Sequence, residues 1–433
     1  MINSTVSLEC GAAIHQLIAD LYPICRSITG EGFRQSLKIL KDWIPLSVHE
    51  VRSGTHVFDW VVPREWNIRD AWIRDSSGKK VVDFQKSNLH VMGYSIPVRE
   101  RMSLEDLKPH LYTSPDHPDW IPYRTSYYNE NWGFCLSHNQ FLSLPSGEYE
   151  VCIDSTLSEG TLTYGEYLIP GKSEEEILIS THACHPSLCN DNLSGVGVAA
   201  MLARELGQQK LPYSCRFLFV PGTIGAIVWL ALNQQNTIRI RDGLVLACVG
   251  DAGNCTYKKS RREIARVDRA AIHVLKHSEQ GSRILEFTPY GYDERQYCSP
   301  GFDLPVGCFM RTPFAQFPEY HTSADNLDFI RPEFLADSYN KCRMILDILQ
   351  HDQAYENLNP YCEPQLGKRG LYKTIGGGGE EDPDEMAKLW VLNQSDGTKT
   401  LLDIAERSGL PFGVIRDAAV KLQEHGLLKE LAG

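Results

Sequence analysis

The chain has 433 residues, more than one hydrophobic core usually organises, so two or three domains are expected. Its formal net charge of −12 argues against non-specific binding to nucleic acid or to an anionic membrane surface. No apolar run approaches the ~20 residues that span a bilayer.

Thirteen cysteines, scattered without C-x-x-C pairs, fit reduced thiols better than a disulfide framework. The opening Met1-Ile2-Asn3-Ser4 shows no basic segment followed by an apolar one. A cytoplasmic location is therefore expected.

Taken in order, residues from about Gly11 to Trp43 read as two helices, with Leu17, Ile18, Leu21 and then Leu37, Ile39, Leu40 at helical spacing. Arg26 lies in the loop between them and reads as a surface charge. From His49 to Tyr149 the pattern shortens to strands: Val57–Pro63, Asp70–Asp75, Val81–Phe84 and His90–Ser95, with a turn at Asp75-Ser76-Ser77-Gly78. A loop-rich stretch follows, Tyr112–Asn131, whose aromatic residues read mainly as packing. This span, 49–149, is expected to be a β-rich insertion.

After Tyr149 strands and helices alternate. Strands are expected at Ile177–Thr181, Arg216–Val220, Leu244–Val249 and Val306–Phe309, and helices at Gly195–Leu206, Ile224–Gln234 and Phe334–Gln350. That alternation predicts an α/β fold with a mainly parallel sheet, built from residues 1–48 and 150–374. The run Ile375–Pro383, with four glycines and an acidic cluster, reads as a linker. Beyond it, helices at Glu385–Asn393, Thr400–Ser408 and Phe412–His425 and an extended end have winged helix-turn-helix spacing, over 384–433. This segment holds six Lys/Arg against eight Asp/Glu, so the basic face that phosphate contacts need is missing.

The chemistry concentrates at predicted strand ends. The strand Ile177–Thr181 runs into Thr181-His182-Ala183-Cys184-His185-Pro186, and a polar loop delivers Asn190-Asp191-Asn192-Leu193-Ser194-Gly195. Val249-Gly250-Asp251, Tyr292-Asp293-Glu294-Arg295 and Glu319-Tyr320-His321-Thr322 fall at further loops. Imidazoles and carboxylates gathered at strand ends are the donor types of a zinc site.

The order His, Asp-Asn-x-Ser-Gly, Gly-Asp, Tyr-His-Thr resembles the zinc aminopeptidase superfamily. It is most similar to bacterial aminopeptidase-like proteins associated with polysaccharide or secondary-metabolite biosynthesis, which also carry a β-rich insertion and a C-terminal winged helix. The resemblance implies Asp191 as the metal-bridging or single-metal carboxylate, His321 as the late histidine ligand and Asp251 as a further carboxylate ligand. Either His182, which ends the strand, or His185, in the more distinctive segment, is the first histidine.

The superfamily's paired glutamates fall on Gly222 and Thr223, so the usual base and a second-metal ligand are both absent and one zinc ion is expected. Glu294 and Glu319 are candidates for a substitute base. Tyr320 is a candidate oxyanion donor, and Arg295 with Asp293 would bind substrate.

The function implied is hydrolysis of a small aminoacyl or peptide amide by metal-activated water. A metal-containing binding protein that has lost catalysis is the alternative. The partner expected is a small-molecule or short peptide substrate, with no nucleic acid and no membrane; homo-oligomerisation is left open.

Overall fold

The computed structural model describes residues 4–278, 281–372 and 383–431. The Ile375–Pro383 stretch lies, Pro383 apart, outside the described residues. The chain divides into two compact units, residues 1–265 with 283–340 and residues 266–282 with 341–433.

The first unit is built on an eight-stranded sheet. Its order is Ser47–Arg52, Thr161–Ile169, Leu211–Val220, Gly171–His182, Ile240–Leu246, Val306–Met310, Thr256–Lys258, Arg283–Leu285. The four strands from Leu211–Val220 to Val306–Met310 are mutually parallel, and antiparallel pairs flank them. The α/β expectation therefore holds.

Ile177, Leu178 and Ile179 are at most 1% exposed, as a strand covered on both faces requires. Each such burial contributes roughly 1.5–3 kcal/mol. The helix Ser194–Leu206 follows the central strand. A Cβ at Gly195 would lie 2.5 Å from Leu246 O, so only glycine lets the start of this helix sit against the neighbouring strand end.

The insertion forms a separate four-stranded antiparallel sheet, in the order Lys80–Asp83, Glu65–Arg74, Glu148–Ser158, Val98–Ser103. Alternating Tyr149, Val151 and Ile153 are buried along its long third strand, which crosses the Tyr149 boundary read from the sequence. Two strand expectations fail here. Val57–Pro63 breaks into His56–Val57 and Trp60–Val61 because Phe58 turns the chain with φ 56°. His90–Ser95 contains a short 3-10 turn and single bridges, with Tyr94 at φ 67°. Alternation of residue type revealed neither turn, since neither uses glycine.

The second unit carries helices Arg266–Lys276, Pro383–Gln394, Leu401–Ser408 and Phe412–Glu424. A small sheet places Ala354–Asn357 between Asp396–Thr400 and Leu428–Glu430. Thr400 and Asp403 form a reciprocal capping box that starts the Leu401–Ser408 helix. Among the described residues no helix is long and apolar enough to cross a membrane.

Candidate metal centre

His182 ends the central strand and is 1% exposed, and Asp191 lies in the loop before the Ser194–Leu206 helix, fully buried. His182 Nε2 donates to Asp191 Oδ1 at 2.9 Å, and His321 Nε2 donates to Asp191 Oδ2 at 2.9 Å. The His185 ring lies 5.1 Å from that of His182 and 5.2 Å from that of His321, centroid to centroid. One donor atom each from His182, His185 and Asp191 fall within 4.8 Å of one another. Both candidate first histidines thus reach the same carboxylate.

The loop is shaped by the polar residues around Asp191. Asn192 Nδ2 donates to Thr181 Oγ1 at 2.9 Å and to Leu246 O at 3.1 Å, while its Oδ1 accepts Cys248 N–H at 3.0 Å. Asn190 Oδ1 accepts Gly250 N–H at 2.8 Å, and Ser194 Oγ accepts Val249 N–H at 2.9 Å. Asn190, Asn192 and Ser194 therefore staple the loop to the next strand end and leave Asp191 facing the imidazoles. From the other side, Asp325 accepts the backbone N–H groups of Asn190 at 2.5 Å and Asp191 at 2.9 Å.

Asp251 is not one of the three donors that fall within 4.8 Å of one another. Its Oδ1 accepts from Thr312 Oγ1 at 2.6 Å and Gly253 N–H at 2.7 Å, and its Oδ2 accepts from Asn190 Nδ2 at 2.9 Å. The strand expected to run to Val249 ends at Leu246, and Cys248 turns the chain with φ 51°. These contacts tie Asp251 to Asn190, the neighbour of Asp191.

Arg26 also departs from its reading as a surface charge. It is 1% exposed, and its Nε and one terminal nitrogen donate to His185 O at 3.2 and 2.9 Å. Its other terminal nitrogen donates to Leu21 O at 2.5 Å. The first interhelical loop thus clamps the backbone of the Cys-His-Pro segment.

Tyrosines line the imidazoles. Tyr123, from the stretch read as packing, meets His185 and His321 edge-on at 5.2 and 5.1 Å, and its N–H donates to His321 O at 2.7 Å. Tyr320 stacks on His321 at 4.0 Å and 11°. Tyr292 stacks on His182 at 4.7 Å and donates to Asp191 Oδ1 at 3.2 Å.

The remaining candidates differ sharply. Glu294 is buried in an ion pair with Lys258 at 2.8 Å, not with Arg295. The Glu319 carboxylate makes no hydrogen bond among the described residues, and its backbone oxygen accepts from Thr322. Arg295 lies over the Tyr290 ring at 5.8 Å, with a buried, unpartnered Nε. Asp293 has zero exposure, and neither carboxylate oxygen has a hydrogen-bond partner.

The electrostatics follow from this packing. Burial would raise the Asp191 carboxyl, but the field of His185 and the hydrogen bonds from His182 and His321 hold it well below the usual carboxylate range. Burial, helped by His182, His321 and Arg26, pushes His185 down to about 3 despite the attraction of Asp191. Burial lifts Asp293 to about 7, with Glu294 adding to the rise and His182 and Arg295 opposing it.

A buried, ionised carboxylate ringed by imidazoles is a donor set suited to zinc or a similar first-row divalent ion. A family model described as Domain of unknown function (DUF4910) matches residues 15–352. The chain belongs to that family.

A winged helix-turn-helix model matches residues 353–430 of this DUF4910 chain. A Clostridium acetobutylicum relative, named "Putative polysaccharide biosynthesis protein with aminopeptidase-like domain", is 52% identical over 98% of this chain and 97% of its own length. A crystal structure named as a "putative peptidase" from the same organism superposes with TM-score 0.94 at 51% identity, covering 98% of this chain and 97% of that one. The Bacillus subtilis zinc aminopeptidase BSAP gives TM-score 0.58 at 13% identity over 78% of this chain and 94% of its own, a likeness of fold. The aminopeptidase-like fold and the C-terminal winged helix expected from the motifs are thereby established for this DUF4910 member.

Proposed function

We propose that the chain is a zinc-dependent aminopeptidase-like hydrolase of a small aminoacyl or peptide amide. His182, His185, Asp191 and His321 would hold one ion. The observation that carries this reading is the mutual approach of the His182, His185 and Asp191 donor atoms within 4.8 Å, with His321 on the other Asp191 oxygen. The ion, when bound, would polarise the scissile carbonyl as a Lewis acid and acidify a water.

The chain supplies the surroundings. Asp325, Asn190 and Asn192 fix the Asp191 loop, and Arg26 fixes His185. Such supporting contacts typically matter 10- to 100-fold for metal affinity. Burial raises the Tyr320 phenol well above its ordinary value, so it keeps its proton at neutral pH and can donate to a developing oxyanion. Arg295, with its free Nε, suits a substrate carboxylate.

The test is metal counting on protein purified without added zinc, paired with amine release from a panel of aminoacyl amides and aminoacyl amino sugars. Near-stoichiometric metal and chelator-sensitive hydrolysis are expected; protein without a bound divalent ion would remove the reading. Gly222 favours a second reading, a metal-containing binding protein, which full metal occupancy with no hydrolysis across the panel would select.

A further inference from the structure

We propose that Asp293 is the proton-transfer carboxylate of this chain, acting in place of the side chain that Gly222 lacks. This rests on the hydrolase reading.

The argument begins at Gly222. A Cβ there would lie 2.9 Å from His182 Cβ, closer than real Cβ contacts come, and 3.3 Å from its Cγ. A glutamate cannot enter at this position without moving a candidate ligand, so a base must come from another element.

The carboxylates around the centre can be compared one by one. Both Asp191 oxygens are engaged by imidazoles. Asp251 is held by Thr312, Gly253 and Asn190. Asp325 takes two loop amides. Glu294 is paired with Lys258 through one oxygen and leaves the other unpartnered. Among these, Asp293 alone has zero exposure and two unpartnered oxygens. Leaving such a group unsatisfied is costly, which marks it as one whose partner is a ligand or water.

Its surroundings tie it to the centre. The adjacent Tyr292 stacks on His182 and bonds Asp191. Cys184 Sγ is 4.0 Å from Gly222 O, and Asp293 acts on that thiol ahead of Asp191 among its charged neighbours. The titratable groups that bear on Asp293 are His182, Glu294, Arg295, Cys184 and Tyr297. A carboxyl lifted to about 7 is matched to proton transfer near neutral pH.

In the step assigned to it, the Asp293 carboxylate takes a proton from water as the water oxygen bonds to the amide carbon. It returns that proton to the amide nitrogen as the C–N bond breaks, and ends ionised. Water and amide give carboxylic acid and amine, with no other reactant.

Asp293→Asn keeps shape and removes the acceptor. The expected result is a 10²–10⁴-fold loss of kcat with little change in KM, unchanged zinc content and melting temperature, and loss of the acidic limb of the pH profile. Unchanged kcat, or a loss that tracks lost zinc, overturns the proposal. Infrared difference spectra of wild type minus Asp293→Asn across neutral pH supply a readout independent of turnover: a titrating protonated-carboxyl band is expected, and its absence overturns the proposal. If wild type binds zinc and hydrolyses nothing in the panel, the hydrolase reading fails and the transfer role falls with it, even where the band is present.

Discussion

Two histidine groups among the described residues differ in what gathers them. In the first unit, His182, His185 and His321 surround the ionised Asp191. In the second, His273 and His277 lie 4.5 Å apart between ring centroids, and His273 Nε2 accepts the Phe412 N–H at 3.0 Å. Burial, then His277, Lys276 and Arg269, hold His273 down to about 4. Burial lowers His185 in the first group and His273 in the second. What separates them is the carboxylate, which turns several imidazoles toward one point, while the second group spends its acceptor on a backbone amide at a helix start.

The strongest way to break this comparison is Asp191→Asn. Removing the charge leaves three imidazoles without the group that gathers them, so zinc content should fall from near one ion per chain to near none. His273→Gln should leave it unchanged. Equal zinc retention in both variants would mean that the carboxylate is not what distinguishes the groups.

Gly222→Glu sharpens the comparison from within the first group. The variant supplies the carboxylate that the sequence resemblance leads one to expect at this position, but its Cβ crowds His182 at 2.9 Å. Zinc affinity should drop about 10-fold or more, with no gain in amine release, as expected when a ligand's setting is disturbed. Equilibrium zinc competition with a chromogenic chelator measures this; increased turnover with intact affinity would refute it.

Much of this was legible in the residues. The apolar run Ile177–Thr181 announced a buried parallel strand, and the Asp-Asn-x-Ser-Gly order placed Asp191 correctly at its exit. The choice between His182 and His185 was not legible, because a loop can bring both to one point and spacing alone does not say so. Arg26 and Tyr123 were missed for a related reason. Arg26 acts on His185 across 159 residues of sequence, and Tyr123 acts on His185 and His321 from another distant segment, so nothing local distinguishes a buried clamp from a surface charge or a packing aromatic. Asp251 was read from its place after an apolar strand, and its hydrogen bonds to Asn190 and Thr312 depend on segments distant in sequence. Asp325 sat within the Tyr-His-Thr segment, yet its role depends on amides from a distant loop.

The smallest expected effect concerns the second group and its response to acid. His273 titrates near 6.5 when unfolded and near 4 in place, so between those values the unfolded chain binds more protons. Its contribution to stability is therefore complete above about pH 6.5, shrinks as pH falls toward 4, and is gone below that, where both states are protonated. Linkage sets the ceiling at about 3 kcal/mol, and solvent screening brings the expectation to about 1–2 kcal/mol. Hydrogen exchange along the Phe412–Glu424 helix reads this locally, because that helix begins at the amide His273 accepts. Protection in wild type should fall between pH 7 and 5 more steeply than in His273→Gln, whose amide oxygen can still accept but does not titrate. Parallel slopes would show that the imidazole's neutrality does not hold this helix start, and the contrast between the two histidine groups would then rest on the first alone.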